Sequence, residues 1–303
     1  MSQPSLEKFT PRDIRVLLIG IAVALISVII AWVYFDDAFP EASIRFEVDK
    51  EASKTIGAQF LESRGFSVSQ FKHASIFDYD NRSKVYLERT QGLEATNDLL
   101  SGPIRVWRWN HRWFQSKQKE EYQVAITPQG AIARYAHIIP EDADGPDLPE
   151  MEARVIAEQV LTQTLHRSLE DLEFLEHASN RLPNRTDHTF TWRRTDIIPG
   201  DADADYRYEI TIQGDEFGGY REYLKVPESW KREYQQLRSA NNTTGTVAAF
   251  FLLLTVLAML IVLIQKARPG DVKWKTALIF GGIGFVLTLA SQLNTIPLTL
   301  YNY

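Results

Sequence analysis

Apolar positions collect at the two ends of this chain, whereas its middle switches between polar and apolar over short distances. From Arg15, the run Val16 to Phe35 carries no charge. Roughly twenty such residues, at about 1.5 Å each, cross the hydrocarbon of a bilayer. Two further charge-free runs cover Val247 to Ile264 and Ala277 to Leu293. The pattern predicts three transmembrane helices, over residues 15–35, 246–264 and 276–293, around a polar domain at 36–240.

Flanking charge sets the expected orientation. Lys8, Arg12 and Arg15 precede the first run, and Asp36, Asp37 and Glu41 follow it. Lys266, Arg268, Lys273 and Lys275 surround a Pro269-Gly270-Asp271 turn between the second and third. Cations stay on the cytoplasmic side, so residues 1–14 and the loop 265–275 are expected inside and the polar domain outside an inner (plasma) membrane crossed several times. The rival reading of the first run is a cleaved signal peptide, but the run exceeds the roughly 7–15 apolar residues of such a peptide, and no clear small-x-small site follows. Trp32 and Tyr34 fall where the outer interface favours amphipathic rings. Gly281, Gly282 and Gly284 permit close helix contact in the third run. Residues 294–303 read as an outer tail or the start of a longer membrane domain.

Within the polar domain two stretches resemble each other, and two repeat units are expected, at about 45–141 and 147–230. Each opens on an amphipathic helix, one carrying Ile56, Phe60 and Leu61 and the other Val155, Ile156, Val160 and Leu161. Asp49 is placed to cap the first helix, and Asp147 with Pro149 to start the second. Strand-like alternation follows: Phe71 to Ser75 matches Leu175 to Ser179, Val85 to Thr90 matches Thr189 to Thr195, and Tyr122 to Ile126 matches Tyr208 to Ile212. The expected class is α+β, with a PepSY- or cystatin-like helix on each antiparallel sheet. The face opposite each helix then needs water or a partner.

One strip, Ile104 to Phe114, has no counterpart in the second unit and alternates large apolar with basic residues. It reads either as a strand pair with its tryptophans in the core, or as a peptide- or headgroup-contacting surface made by Arg105, Trp107, Arg108, Trp109 and Trp113. The acidic loop Glu141 to Asp147 lacks the glycine and terminal glutamate of an EF-hand and reads as a solvated linker. Asn241 to Thr244 reads as a polar stalk into the second span.

Composition removes several chemistries. The formal charge is -6 and the basic residues form no stripe, so nucleic acid is not an expected partner. There is no cysteine, hence no disulfide. The six histidines have no helical zinc spacing, nucleotide and nucleophile-elbow motifs are missing, and the three runs hold no ionisable residue.

The order of elements resembles the N-terminal part of long bacterial CPBP-family proteins, the CAAX-protease-like intramembrane metalloproteases. Lys119 to Val124, Ala131 to His137, Pro140-Glu141-Asp142 with Asp147-Leu148-Pro149, Val272-Lys273-Trp274 and Ala290 to Asn294 carry the likeness. That resemblance implies a metal, zinc by expectation, held by a catalytic region following Tyr303. Glu120-Glu121 has Ala125 where the family's glutamate pair requires arginine, so no catalytic or metal-binding residue transfers to this chain. The expected function is anchoring and recognition for such a protease. The alternative is a non-enzymatic envelope sensor or assembly factor that binds peptide, and the expected partners are the lipid bilayer and a peptide or envelope protein.

Overall fold

A computed structural model describes residues 10–35, 39, 41, 44–200, 203–267 and 274–302. The flanking charges Lys8, Asp36, Asp37, Arg268 and Lys273, and the turn at 269–271, lie outside the described residues.

Among the described residues three helices are long and apolar enough to cross a membrane. The first, α1 (Pro11–Val33), starts ahead of the apolar run because Thr10 and Asp13 close a reciprocal capping box and Pro11 follows the cap. The other two occur near the C-terminal end and are described after the sheet domain that separates them from α1.

The domain opens with α2 (Lys50–Ser63), capped as expected by Asp49, whose carboxylate accepts from the Ala52 amide at 2.8 Å. Strand β1 (Lys72–Tyr79) comes next, then helices α3 (Asn81–Gln91) and α4 (Leu93–Ser101). Val85 to Thr90 was expected to be a strand and is helical. Asp80 accepts from the amides of Arg82 and Ser83, and the buried residues Ser83, Tyr86 and Leu87 recur at helical spacing, which a six-residue window does not separate from alternation. Strands β2 (Trp107–Phe114), β3 (Glu121–Ile126) and β4 (Ile132–Ile138) complete the first half. The α3–α4 pair thus lies between β1 and β2, and the tryptophan strip is β2.

The second half begins with α5 (Glu150–Gln159), continued by one π turn over Val160–Thr164. Its first residue follows Pro149 without a side-chain cap, because Asp147 accepts from the Thr186 hydroxyl instead. Strands β5 (Leu172–Arg181), β6 (Thr186–Arg194), β7 (Asp205–Gln213) and β8 (Glu216–Lys225) follow. Gly214, at φ +63°, turns β7 into β8 with Pro146 packed where a Cβ would sit.

The eight described strands form one antiparallel sheet in the order β1-β2-β3-β4-β8-β7-β6-β5, so the two sheets expected from the sequence are one. The two runs of four join through Arg134–Arg221, Tyr135–Tyr220 and Ala136–Gly219. Helices α2 and α5 lie on the same face, where Val124, Tyr135, Tyr220, Ile210 and Phe190 are cross-strand neighbours in one core. Each helix meets the sheet through small then large residues at identical spacing: Ser53, Gly57, Phe60 and Leu61, then Ala153, Ala157, Val160 and Leu161. Val155, expected to be buried, is 51% exposed because it lies off that stripe.

From β8 the chain enters α6 (Glu228–Ala267) directly. The polar stretch Asn241 to Thr244 continues this helix, with Thr243 and Thr244 hydroxyls donating to carbonyls four residues back. The last span, α7 (Trp274–Asn294), is followed by α8 (Ile296–Asn302), the break falling where Pro297 has no amide to donate. Among the described residues, nothing beyond the helix's own backbone and the chain neighbours lies within 4 Å of a Cβ placed on Gly281, Gly282 or Gly284. Helix α8 sits against β1, and Arg112 donates to the Tyr301 carbonyl at 3.0 Å.

Candidate functional site

Period-2 alternation leaves a second sheet face, built from the residues between the core positions; α8 rests on its β1–β2 end, and the part over β4 and β8 is lined by strand and loop residues alone. Ala178, Thr189, Thr211, Gly219 and Ala136 align as cross-strand partners into one row of small side chains. On one side of that row stand Arg134, Arg221, Glu209 and Glu176; on the other stand Ile138, Gln213, Asp187 and Asn180. Short residues between two taller rows form a groove of about 730 Å³ over the β4–β8 seam.

The groove's charges are unequally satisfied. Arg221 grips Glu209 with two hydrogen bonds of 2.7 Å, and Arg185 donates to Asp187 at 2.8 Å. Arg185 also donates to the carbonyls of Pro140 and Ala143, and Asn184 to that of Asp142. The acidic linker, expected to be free in solvent, is thus pinned at the groove's far end. Among the described residues no carboxylate lies within 4 Å of the Arg134 guanidinium, which is exposed and has Arg108 and Arg221 as its charged basic neighbours.

The tryptophan strip divides between core and surface. Trp107 and Trp113, 4% and 2% exposed, are core residues facing the helices, which removes them from any binding surface. Trp109 is half-buried and donates to the Val48 carbonyl at 3.2 Å. Arg105 is drawn inward to Glu222, whose carboxylate is 1% exposed and also receives Arg167 at 3.2 Å and the Tyr206 hydroxyl at 3.0 Å. Burial, reinforced by the charge of Glu222, holds the Tyr206 and Tyr220 phenols well above their ordinary range, so they stay protonated. Arg108 alone of the five points to the open face beside Arg134.

The glutamate pair is occupied structurally: Glu120 meets Tyr122 and His137, and Glu121 meets Arg112. Four histidines pair across edge strands, His73 Nε2 with His111 Nδ1 at 3.0 Å and His177 Nε2 with His188 Nδ1 at 2.9 Å. His111 continues to the Ser53 hydroxyl and His188 to the Leu148 carbonyl. Among the described residues no group of three His, Cys, Asp or Glu side chains is arranged for a metal.

Sequence reading missed Arg134, Arg221, Glu209, Thr211 and Asp187 as a group. Each was visible as an outward position of a strand, but their alignment depends on β4 pairing with β8, whose partners are about 85 residues apart.

No family model matches this chain, and no curated protein matches it. Among solved structures it is similar to the Bacillus megaterium YpeB C-terminal domain, with 14% identity, a TM-score of 0.33, and coverage of 61% of this chain and 70% of that one. Neither fold nor function is carried over from a likeness of that size.

Proposed function

We propose that this protein is a membrane-anchored recognition module of the cell envelope, whose open sheet face binds a ligand outside the cell. The observation that carries this reading is the groove itself: α2 and α5 cover one side of an eight-stranded sheet, while the other, beyond the end on which α8 rests, keeps an open groove walled by charged side chains. Cation placement at the span ends supports an exterior location for the sheet and a cytoplasmic N-terminus in an inner membrane. The direct run of β8 into α6, together with the contact of α8 with β1, supports a sensing role, since two spans are joined to the sheet without a flexible linker.

The two halves read as copies of one helix-plus-meander unit of PepSY- or cystatin-like character. Matching histidine pairs and matching buried helix positions support that reading.

Because the chain has no cysteine, single cysteines test the arrangement cleanly. Thr211→Cys is expected to react with an impermeant maleimide in intact cells, and Lys273→Cys only after permeabilisation. The reverse pattern overturns the exterior placement.

The CPBP resemblance supports a narrower version, in which the module delivers substrate to a metalloprotease region outside this chain. It predicts that peptide cleavage in membranes carrying the intact gene product stops on metal chelation. Cleavage that persists under chelation sinks the protease version and leaves the recognition module standing.

A further inference from the structure

Resting on the recognition reading above, we infer that the groove over the β4–β8 seam is a binding site for an extended acidic peptide, with Arg134 as the group that receives a peptide carboxylate. The small row of Ala136, Gly219, Thr211, Thr189 and Ala178 crosses five strands. Four interstrand steps of about 4.8 Å make a floor of roughly 19 Å, the length of five or six extended residues at about 3.3 Å each. Its walls stand on the same face two residues to either side along each strand, about 7 Å away, leaving a channel one peptide wide.

Charge complementarity selects the occupant. Along the walls, Arg221 is neutralised by Glu209 and Arg185 by Asp187, and Arg112 beyond them by Glu121. Arg134 and its neighbour Arg108 keep unpaired positive charge among the described residues. A guanidinium offers two parallel donors that match one carboxylate. A phosphate polymer would need successive unpaired cations along the channel, whereas here each further cation has its own carboxylate. The floor offers the Thr189 and Thr211 hydroxyls, the far wall the Gln213 and Asn180 amides, and Ile138 with Leu182 add apolar surface. Hydroxyls, amides and apolar patches beside the unpaired cations Arg134 and Arg108 suit peptide bonds and mixed side chains. Strands β4 and β8 are both interior, so the peptide is read by side chains and not by edge pairing.

The test uses the full chain in nanodiscs and two fluorescein-labelled hexapeptides, one alternating alanine with glutamate and one alternating alanine with glutamine. Anisotropy is expected to show the acidic peptide binding at least about tenfold more tightly. Arg134→Gln should remove that preference, and Thr211→Phe, which fills the floor, should abolish binding of both peptides, with thermal midpoints unchanged in both variants. Inorganic polyphosphate should not compete. If Thr211→Phe abolishes binding but Arg134→Gln leaves the preference intact, or polyphosphate displaces the peptide, the acidic-peptide assignment falls and the recognition face stands. Binding that survives Thr211→Phe, or no binding of either peptide, overturns the site; in the first case the open face loses its recognition role as well.

Discussion

His111 shows how far burial overrides intrinsic chemistry at one side chain. It is fully buried, and burial, then the nearby charges of His73, Lys50 and Lys54, draws its pKa down to about 3; burial with Lys54 and Lys50 takes His73 to about 4. The unfolded chain takes up these protons near the ordinary value of 6.5, and the folded chain only near 3 to 4. Between those limits the unfolded state binds more protons, so this stability is complete above pH 6.5 and declines as pH falls toward the folded values. Unfolding followed by tryptophan fluorescence should show a loss of roughly 2–3 kcal/mol between pH 7.5 and pH 4.5 for His111. Trp113 is a suitable reporter, with its ring centroid 5.6 Å from that of His111. A His73→Gln/His111→Gln double variant with an equally steep pH dependence would rule the pair out as its source.

Helices set against the sheet depend on residues that look unimportant in sequence. At Gly57 an added Cβ would sit 2.8 Å from Trp113 Cη2, a rigid ring tip in the core. Alanine there gains about 1 kcal/mol of helix propensity, but overpacking a core costs about 1–3 kcal/mol. Gly57→Val adds two methyl groups and β-branching, so its thermal midpoint should drop by several degrees, whereas Gly281→Val meets open space and should change it little. Equal effects at the two positions would mean that α2 does not seat on Trp113. The same scale explains the tryptophan strip. With β2 between β1 and β3, Trp107 and Trp113 turn to the helices, and Arg108 and Arg112 turn to the groove side.

Across the whole molecule the two halves are held by a buried charge cluster as well as by the β4–β8 ladder. Glu222 of the second half receives Arg105 from the first and Arg167 from the turn after α5. Glu222→Gln leaves two partly buried guanidiniums without a carboxylate, and removing one partner of such a cluster costs about 3–5 kcal/mol. The expected result is a lowered thermal midpoint and faster hydrogen exchange on both sides of the β4–β8 seam. A variant as stable as the parent would show that the ladder and core suffice. At this scale the spans also join the domain, α6 as an unbroken helix from β8 and α8 through Arg112.

Sequence alone determined the features set by local composition: three apolar helices, the Asp49 cap, and an α+β middle with alternating strands such as Tyr122 to Ile126. These follow from length, charge and period, which are properties of neighbouring residues. It misassigned Val85 to Thr90, because a short amphipathic segment fits either period, and it separated what is one sheet into two. Arg134, Arg221, Glu209 and Thr211 form a groove only once β4 lies beside β8, and Arg105 leaves the surface only because Glu222 waits in the core. Those outcomes depend on register and burial between distant segments, and only the tertiary structure brings such segments together.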